Sequence, residues 1–517
     1  MGRIFRRAMT IVAVLTIVAL VGCGGGGGGE DTAGTASAVT STSEGPIAGF
    51  GSIIMNGDRW ETSSADVDVE GVPGSQSDLA VGMVVRIEGS KSNGRARARR
   101  VIFAPRLVGP IRSIEELSPD ARALEILGRR AIVSRTSTHF RDTTLDDLEV
   151  DDLVLVSGLV NEADELEATF LRDRGDAIVG ESRVRTFGTV EGLSGGSFMI
   201  GTSEILFDGD TELEDLGEDG LSEGDVVRVR GILLANDAID ASHIKGREDD
   251  DDDDMDEVEI QGIVSDYVSI ADFKVGDRQV DASGARLMPN DPTLLRDGVL
   301  VEAEGRCRED GVLVATKLKF RSHRVRIHAE VAFDDDVDPI NRELTLLGIP
   351  ITVDDGARLR DRRDRIDGFD LEDIVAGDFL EVRGIARPDG SVIAAHVHRD
   401  RFGDIRLKGP VTTIDRDAYE IGVLGLVIPT SSRTEFEMED GARLSRDAFF
   451  DRVEAGWKVH VRDREDGDET SIDVADSVEL EAPELEDDDE DESPDPDDED
   501  DDDDSDDSDD DDSSDDD

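Results

Sequence analysis

The residues best suited to metal chemistry are His396, His398 and Asp400, which stand at every second position. On a β-strand this spacing puts all three side chains on one face, and imidazole together with carboxylate suits zinc or copper. The corresponding places elsewhere in the chain hold basic residues such as Arg100 and Lys317. The sequence therefore favours a solvated strand face here, with a metal site at His396, His398 and Asp400 as the alternative.

Other acidic residues indicate no specific chemistry. The segment 208–212 alternates acids as a calcium loop does, but it lacks the glycine and the distal glutamate that an EF-hand requires. With 124 Asp and Glu residues, carboxylate pairs for glycoside hydrolysis could be drawn almost anywhere. The chain has no HExxH or phosphate-loop motif. We therefore expect a protein that is not an enzyme, with an envelope glycan-active enzyme as an alternative.

One phrase, Gly-x-x-Val-x-Val-x-Gly with small departures, occurs six times. The copies are 82–89, 151–158, 224–231, 298–305, 377–384 and 456–463. Their first positions lie about 70 to 80 residues apart, and a period of that length predicts tandem small domains. Apolar and polar residues alternate within the phrase, which is typical of a strand with one buried face.

Further β-like segments surround each copy, so that each unit has about five short strands. Five strands with one apolar face bury that face best by curling into a small barrel, and 221–231 resembles the centre of an OB-like barrel. The predicted fold is all-β: a tandem array of about six small OB-like five-stranded β-barrels, ending in a disordered acidic C-terminal tail. We expect neighbouring barrels to pack against one another or to rely on short linkers, because each has a small core.

The first unit carries a more specific pattern in the segments 49–57, 62–65 and 78–85. This combination resembles an uncharacterised bacterial family, the domain of unknown function numbered 5666, which forms tandem β-rich repeats in secreted lipoproteins. The likeness is closest over 45–103. It implies tandem barrels and an envelope location, and it carries no catalytic residue.

The N-terminus looks like a secretion signal. Arginines precede an apolar run, 9–21, that is too short to span a bilayer, and Leu-Val-Gly leads directly into Cys23. This resembles the lipobox of bacterial lipoproteins, which implies lipidation of Cys23. Because Gly24 and not Asp follows, the resemblance implies an outer-membrane lipoprotein, periplasmic or surface-exposed. An ordinary cleaved signal peptide with an incidental cysteine is the alternative.

The charge is strongly negative, −68, and concentrates in an acidic linker, 248–257, and in the tail. This argues against nucleic acid as a partner, because phosphate binding needs Lys and Arg. We expect no cofactor, unless the acidic segments loosely collect calcium or another divalent cation. A basic envelope protein is the other partner that such a polyanion suits.

The favoured function is a lipid-anchored, non-enzymatic binding or structural array of the cell envelope, with an unidentified ligand. The expected segments are a signal peptide 1–23, a flexible tether 24–43, repeats at 44–105, 106–180, 181–247, 258–322, 323–402 and 403–482, the linker 248–257, and the tail 483–517.

Overall fold

The computed structural model describes residues 39–481, apart from 93–94, 136, 217–219, 247–256, 309, 322–323, 388, 439–440 and 465–469. The predicted signal peptide, nearly all of the acidic linker and the tail lie outside the described residues. Within them the chain is β-structured, with one α-helix, α1 (Arg446–Arg452), and short 3-10 turns. The all-β prediction is confirmed.

The strands fall into six sets, one for each copy of the phrase. Repeat 1 has β1 (Val39–Pro46), β2 (Ile53–Met55), β3 (Asp58–Glu61), β4 (Asp66–Val69), β5 (Val72–Gly74), β6 (Val84–Ser92) and β7 (Arg95–Phe103). Repeat 2 has β8 (Leu107–Ser118), β9 (Ala121–Ile126), β10 (Arg129–Ser134), β11 (His139–Arg141), β12 (Asp152–Val160) and β13 (Leu166–Asp176). Repeat 3 has β14 (Arg183–Thr189), β15 (Glu191–Ser194), β16 (Ser197–Ile200), β17 (Ser203–Leu206), β18 (Glu212–Glu214), β19 (Val226–Leu233) and β20 (Ile239–Lys245).

The second half of the chain repeats the same order. Repeat 4 has β21 (Glu257–Ser269), β22 (Asp272–Val275), β23 (Arg278–Asp281), β24 (Arg286–Met288), β25 (Leu300–Cys307) and β26 (Leu313–Phe320). Repeat 5 has β27 (Arg324–Glu330), β28 (Val337–Asp338), β29 (Glu343–Leu346), β30 (Ile349–Asp361), β31 (Phe379–Ala386) and β32 (Val392–Asp400). Repeat 6 has β33 (Ile405–Asp415), β34 (Glu420–Val423), β35 (Leu426–Pro429), β36 (Glu435–Met438), β37 (Arg443–Leu444), α1, β38 (Lys458–Asp463) and β39 (Ser477–Glu481).

Repeat 4 forms a closed five-stranded barrel, whereas the described strand pairings of repeats 1, 3, 5 and 6 leave the ring incomplete. Strands β21, β22 and β23 form an antiparallel meander, and β23 then runs parallel to β26. The central strand β25 lies antiparallel between β26 and β21, so the five strands close into a ring. Repeat 2 has the same ring of pairings. The alternating apolar residues of the central strand point into this ring, where Val301 and Ala303 are fully buried.

The last glycine of the phrase has a steric role. In repeats 1 to 5 the pairing of the central strand with the strand that follows it shifts register at this residue. A Cβ at Gly305 would lie 2.1 Å from the carbonyl oxygen of Val314, far inside van der Waals contact. Repeat 6 has Asp463 instead, and its pairing runs without a shift. The glycine is therefore required by a β-bulge that lets the two strands approach closely.

The repeats are not independent domains, because the first strand of each repeat pairs with the first strand of another. β1 runs parallel to β21, β8 pairs antiparallel with β14, and β27 pairs antiparallel with β33. In the described part of the chain three sheets of 13 strands result, which join repeat 1 to repeat 4, repeat 2 to repeat 3, and repeat 5 to repeat 6. We expected contacts between sequence neighbours, and the pairing of repeats 1 and 4 departs from that. Each pairing covers backbone N–H and C=O groups that an isolated barrel would leave on an open edge.

Backbone pairing also moves two of the predicted segment boundaries. Residues 39–43, which we assigned to the tether, belong to β1, where Ser41, Thr42 and Ser43 are buried between β6 and β21. Glu257, assigned to the acidic linker, is the first residue of β21. Polar composition suggested a tether, but backbone pairing on both sides makes this stretch an internal strand.

The apolar cores also extend beyond single repeats. One continuous cluster of buried side chains runs through repeats 1, 2 and 3, and another runs through repeats 5 and 6. Repeat 4 has its own cluster, which is completed by Ile385 and Ile393 of repeat 5. Sharing a core in this way offsets the small apolar volume that a barrel of about 70 residues can bury alone.

Candidate functional site

Carboxylates lie buried on the outer face of the barrels in repeats 4 and 5. Glu302 on β25 and Glu381 on β31 occupy equivalent places in the phrase, and they are 1% and 2% exposed. The alternation of the sequence predicts a solvated residue at this position, and for these two glutamates that prediction is wrong. Neighbouring repeats and long basic side chains cover the outer face there.

Glu302 belongs to a group of three carboxylates between repeats 1 and 4. The carboxylate oxygens of Glu259, Glu302 and Glu304 lie within 4.8 Å of one another, and this is the one such cluster of potential metal ligands among the described residues. Lys91 Nζ lies 2.9 Å from Glu259 and Lys319 Nζ lies 2.7 Å from Glu302. The remaining cations of the cluster are Lys317 and Arg321.

The electrostatics of this cluster are those of an ion-pair network. Burial alone would raise the pKa of Glu302, but Arg321 and Lys319 lower it to about 2. Burial, reinforced by the charge of Glu302, raises the pKa of Glu259 to about 8 against the attraction of Lys91. Lysine and arginine already pair with Glu302 and Glu304, and Glu259 favours its protonated form, so the cluster does not favour a metal ion.

A second ion-pair network surrounds Glu381 in repeat 5. Arg362 Nη1 lies 2.7 Å and Arg383 Nε 2.6 Å from its carboxylate oxygens, and His328 Nε2 lies 3.4 Å away. Burial alone would raise the pKa of Glu381, but His328, His398 and Arg383 hold it well below its usual range. The carboxylate is therefore held ionised in a nearly closed environment.

The predicted metal ligands lie beside this network. The rings of His396 and His398 are 5.9 Å apart, and His398 Nδ1 is 3.7 Å from Glu381. Asp400 lies 3.6 Å from Arg362 instead, and burial raises its pKa. His398 is buried, so the solvated face that the sequence favours is wrong for this residue. The structure does not gather the three as one ligand group, and the metal site stays a prediction that this arrangement does not favour.

The acidic segment 208–212 forms a turn with internal hydrogen bonds. The backbone N–H of Asp210 donates to Asp208 Oδ1 at 2.9 Å, and Thr211 Oγ1 accepts from the N–H of Asp208 at 3.0 Å. Asp208 therefore caps its own turn, as Asx residues commonly do. Cys23, the predicted lipidation site, lies outside the described residues.

The structure adds a cavity that the sequence analysis did not identify. It lies between repeats 4 and 5 and has a volume of about 530 Å³. Its lining includes the apolar side chains Leu287, Phe320, Val325 and Ile385. Its basic lining residues are Arg286, Lys319, Arg321, Arg324, Arg358 and Arg383.

A sequence signal for this cavity does exist. Basic residues alternate along 317–326, at Lys317, Lys319, Arg321, Arg324 and Arg326, in a chain that is otherwise strongly acidic. The alternation places them on the outer face of two successive strands. It indicates a local positive surface, although the partner wall of the cavity comes from the more distant segment 354–358.

Among the residues that the structure describes, no helix is long and apolar enough to cross a bilayer. A search among curated proteins finds no match.

Comparison with known families does identify the repeats. A domain of unknown function (DUF5666) matches five times, at 38–102, 108–171, 187–245, 248–319 and 335–398, which together make up more than half of the chain. These ranges overlap the first five sets of strands, although the fifth begins after β27, and the strands of repeat 6 lie outside them. The resemblance inferred from the first repeat is confirmed, and the chain belongs to the DUF5666 family.

Proposed function

We propose that this protein is a lipid-anchored, non-enzymatic scaffold of the cell envelope, in which six barrels form one stiff array. The observation that carries the proposal is the fusion of repeats through shared sheets. Shared sheets fix the angle between two barrels, whereas barrels on flexible linkers would reorient freely. A stiff array holds its outer faces at fixed distances from one another.

Charge pairs between repeats support the same proposal. Asp277 of repeat 4 pairs with Arg106, the first residue of repeat 2, and lies 3.5 Å from Arg228 of repeat 3. Arg452 of repeat 6 donates to the buried Asp120 of repeat 2 at 2.8 Å. Contacts of this kind, between repeats that are distant in sequence, favour a single body over a flexible string.

Unfolding of the two ends tests whether the array is one body. The chain has two tryptophans, the buried Trp60 in repeat 1 and Trp457 in repeat 6. The variants Trp457→Phe and Trp60→Phe each leave one fluorescent reporter, and we expect their urea transitions to coincide. Adding Asp277→Asn to both variants should separate the two urea midpoints, because it removes charge pairs between repeats. Two well-separated midpoints without that change would contradict the stiff array.

Lipid attachment has its own test. Cys23 and Cys307 are the two cysteines of the chain, which gives a matched pair of variants. In a Gram-negative host fed with radiolabelled palmitate, Cys307→Ser should keep the label and Cys23→Ser should lose it. Equal labelling of both variants would exclude anchoring through Cys23.

A further inference from the structure

The cavity between repeats 4 and 5 owes its shape to an interruption in β30. Val353 pairs with Ala394 and Arg358 with His396, so four residues of β30 stand opposite the single residue Ala395. This wide bulge pushes the segment 354–357 out of the barrel wall and toward repeat 4. The cavity is therefore a consequence of this one irregular strand.

Contacts between the two repeats hold the wall in place. The backbone N–H of Asn290 donates to Asp354 Oδ1 at 3.0 Å, and Arg387 Nε lies 2.6 Å from Asp291 Oδ2. Ile385 and Ile393 of repeat 5 pack into the core of repeat 4. A cavity framed by packed side chains and ion pairs is preformed, as small-molecule sites commonly are.

Two arginines of the lining are available to a ligand. Within the described part of the chain, the side chains of Arg286 and Arg358 make no ion pair or hydrogen bond, and both residues are exposed. The acids of the lining are engaged elsewhere, since Asp354 accepts two backbone N–H groups and Asp355 lies 3.5 Å from Arg342.

We propose that this cavity binds a small organic anion with an apolar body. The guanidinium groups of Arg286 and Arg358 would hold the anionic group, and Leu287, Phe320 and Val325 would contact the apolar part. Guanidinium recognises carboxylate, sulfonate and phosphate oxygens through directed N–H donors. A volume of about 530 Å³ suits a ring system or a medium-length chain. The inference goes beyond the scaffold function, which would stand if no anion bound.

A matched pair of fluorescent probes tests the charge requirement. 1-Anilinonaphthalene-8-sulfonate and N-phenyl-1-naphthylamine share an aromatic skeleton, and the first also carries a sulfonate. We expect the full chain to bind one sulfonate probe per molecule, at least tenfold more tightly than the neutral probe. Octanoate should displace it, whereas octanol at the same concentration should not. Equal affinity for the two probes would overturn the proposal.

Variants locate the binding. Because Arg286 and Arg358 support no described contact, the double change Arg286→Ser with Arg358→Ser should leave folding intact and weaken sulfonate binding about tenfold. Arg433→Ser removes an exposed arginine of repeat 6 and should change nothing. Ala395→Trp keeps both arginines but fills the cavity, so it should abolish binding of both probes.

Two results would contradict the proposal. One is unchanged sulfonate binding in the double arginine variant, with circular dichroism showing a native fold. The other is displacement of the probe by vesicles of dioleoylphosphatidylglycerol with octanoate inert, because the ligand would then be a lipid surface and not a small free anion.

Discussion

Glu259 and Glu381 are buried carboxylates whose surroundings shift their pKa values in opposite directions. Glu259 shares its site with the ionised Glu302, and its pKa is raised to about 8 by burial and by that neighbour. Glu381 has histidine and arginine partners, and despite burial its pKa is well below the usual range. The inward apolar residues of each phrase were predictable from alternation. The burial of these glutamates was not, because it depends on which repeats meet.

Glu259→Gln should stabilise the protein at alkaline pH. A raised pKa means that the native state favours the protonated acid, so stability is fullest below about pH 4.5 and is lost as pH rises through about 8. The amide mimics the protonated acid and can still accept from Ser43, which donates at 2.8 Å. We expect a gain on the order of 3 kcal/mol at pH 9 and little change at pH 5, measured by urea unfolding. Exposed Glu204→Gln is the control, and a loss of stability at pH 9 would contradict the assignment.

Glu381→Gln, in contrast, should destabilise the protein at neutral pH. A lowered pKa means that the ionised carboxylate contributes stability above about pH 4.5 and that this contribution is lost as the solution is acidified. Removing one partner of a buried ion pair costs about 3 kcal/mol. The urea midpoint of the variant should therefore fall at pH 7, and the deficit should shrink at pH 3. Exposed Glu372→Gln serves for comparison, and equal losses for both variants would exclude a special role for Glu381.

At the scale of elements, the recurring unit is a central strand that ends in a bulge. Its position was predictable, because six copies of one phrase mark it. The β-like segments around it also indicated a small barrel. The joining of barrels into larger sheets was not predictable, because the sequence of a first strand does not indicate which other strand it will pair with. The cavity was missed for a similar reason, because an irregular stretch of β30 forms its wall.

Gly305→Ala should destabilise repeat 4 because the new methyl group would meet the carbonyl oxygen of Val314 at 2.1 Å. Overpacking of this kind costs about 1–3 kcal/mol. Gly284 lies in the same repeat with open space around its Cα and no positive φ, so Gly284→Ala should be neutral or slightly stabilising. Thermal unfolding of the two variants measures the difference. A tolerated Gly305→Ala would show that the bulge does not require glycine.

At the scale of the molecule, acidic segments remain the candidate for cation binding. Calcium titrated calorimetrically into the full chain and into a chain ending at residue 482 would locate any binding heat. If the tail collects cations loosely, the heat should fall with truncation and with added salt. The truncation must spare β39, since Leu480 lies fully buried in the core. Equal heats from both chains would place binding outside the tail.

The parallel pairing of β1 with β21 has a consequence for folding during synthesis. Ser43 donates to Glu259, which lies 216 residues later in the sequence. β1 is therefore synthesised long before β21, the strand with which it pairs. Until then one side of β1 is open to any other extended segment. A chain interrupted after its third repeat would keep this exposed side permanently, and premature termination should therefore yield more aggregate than the finished chain does.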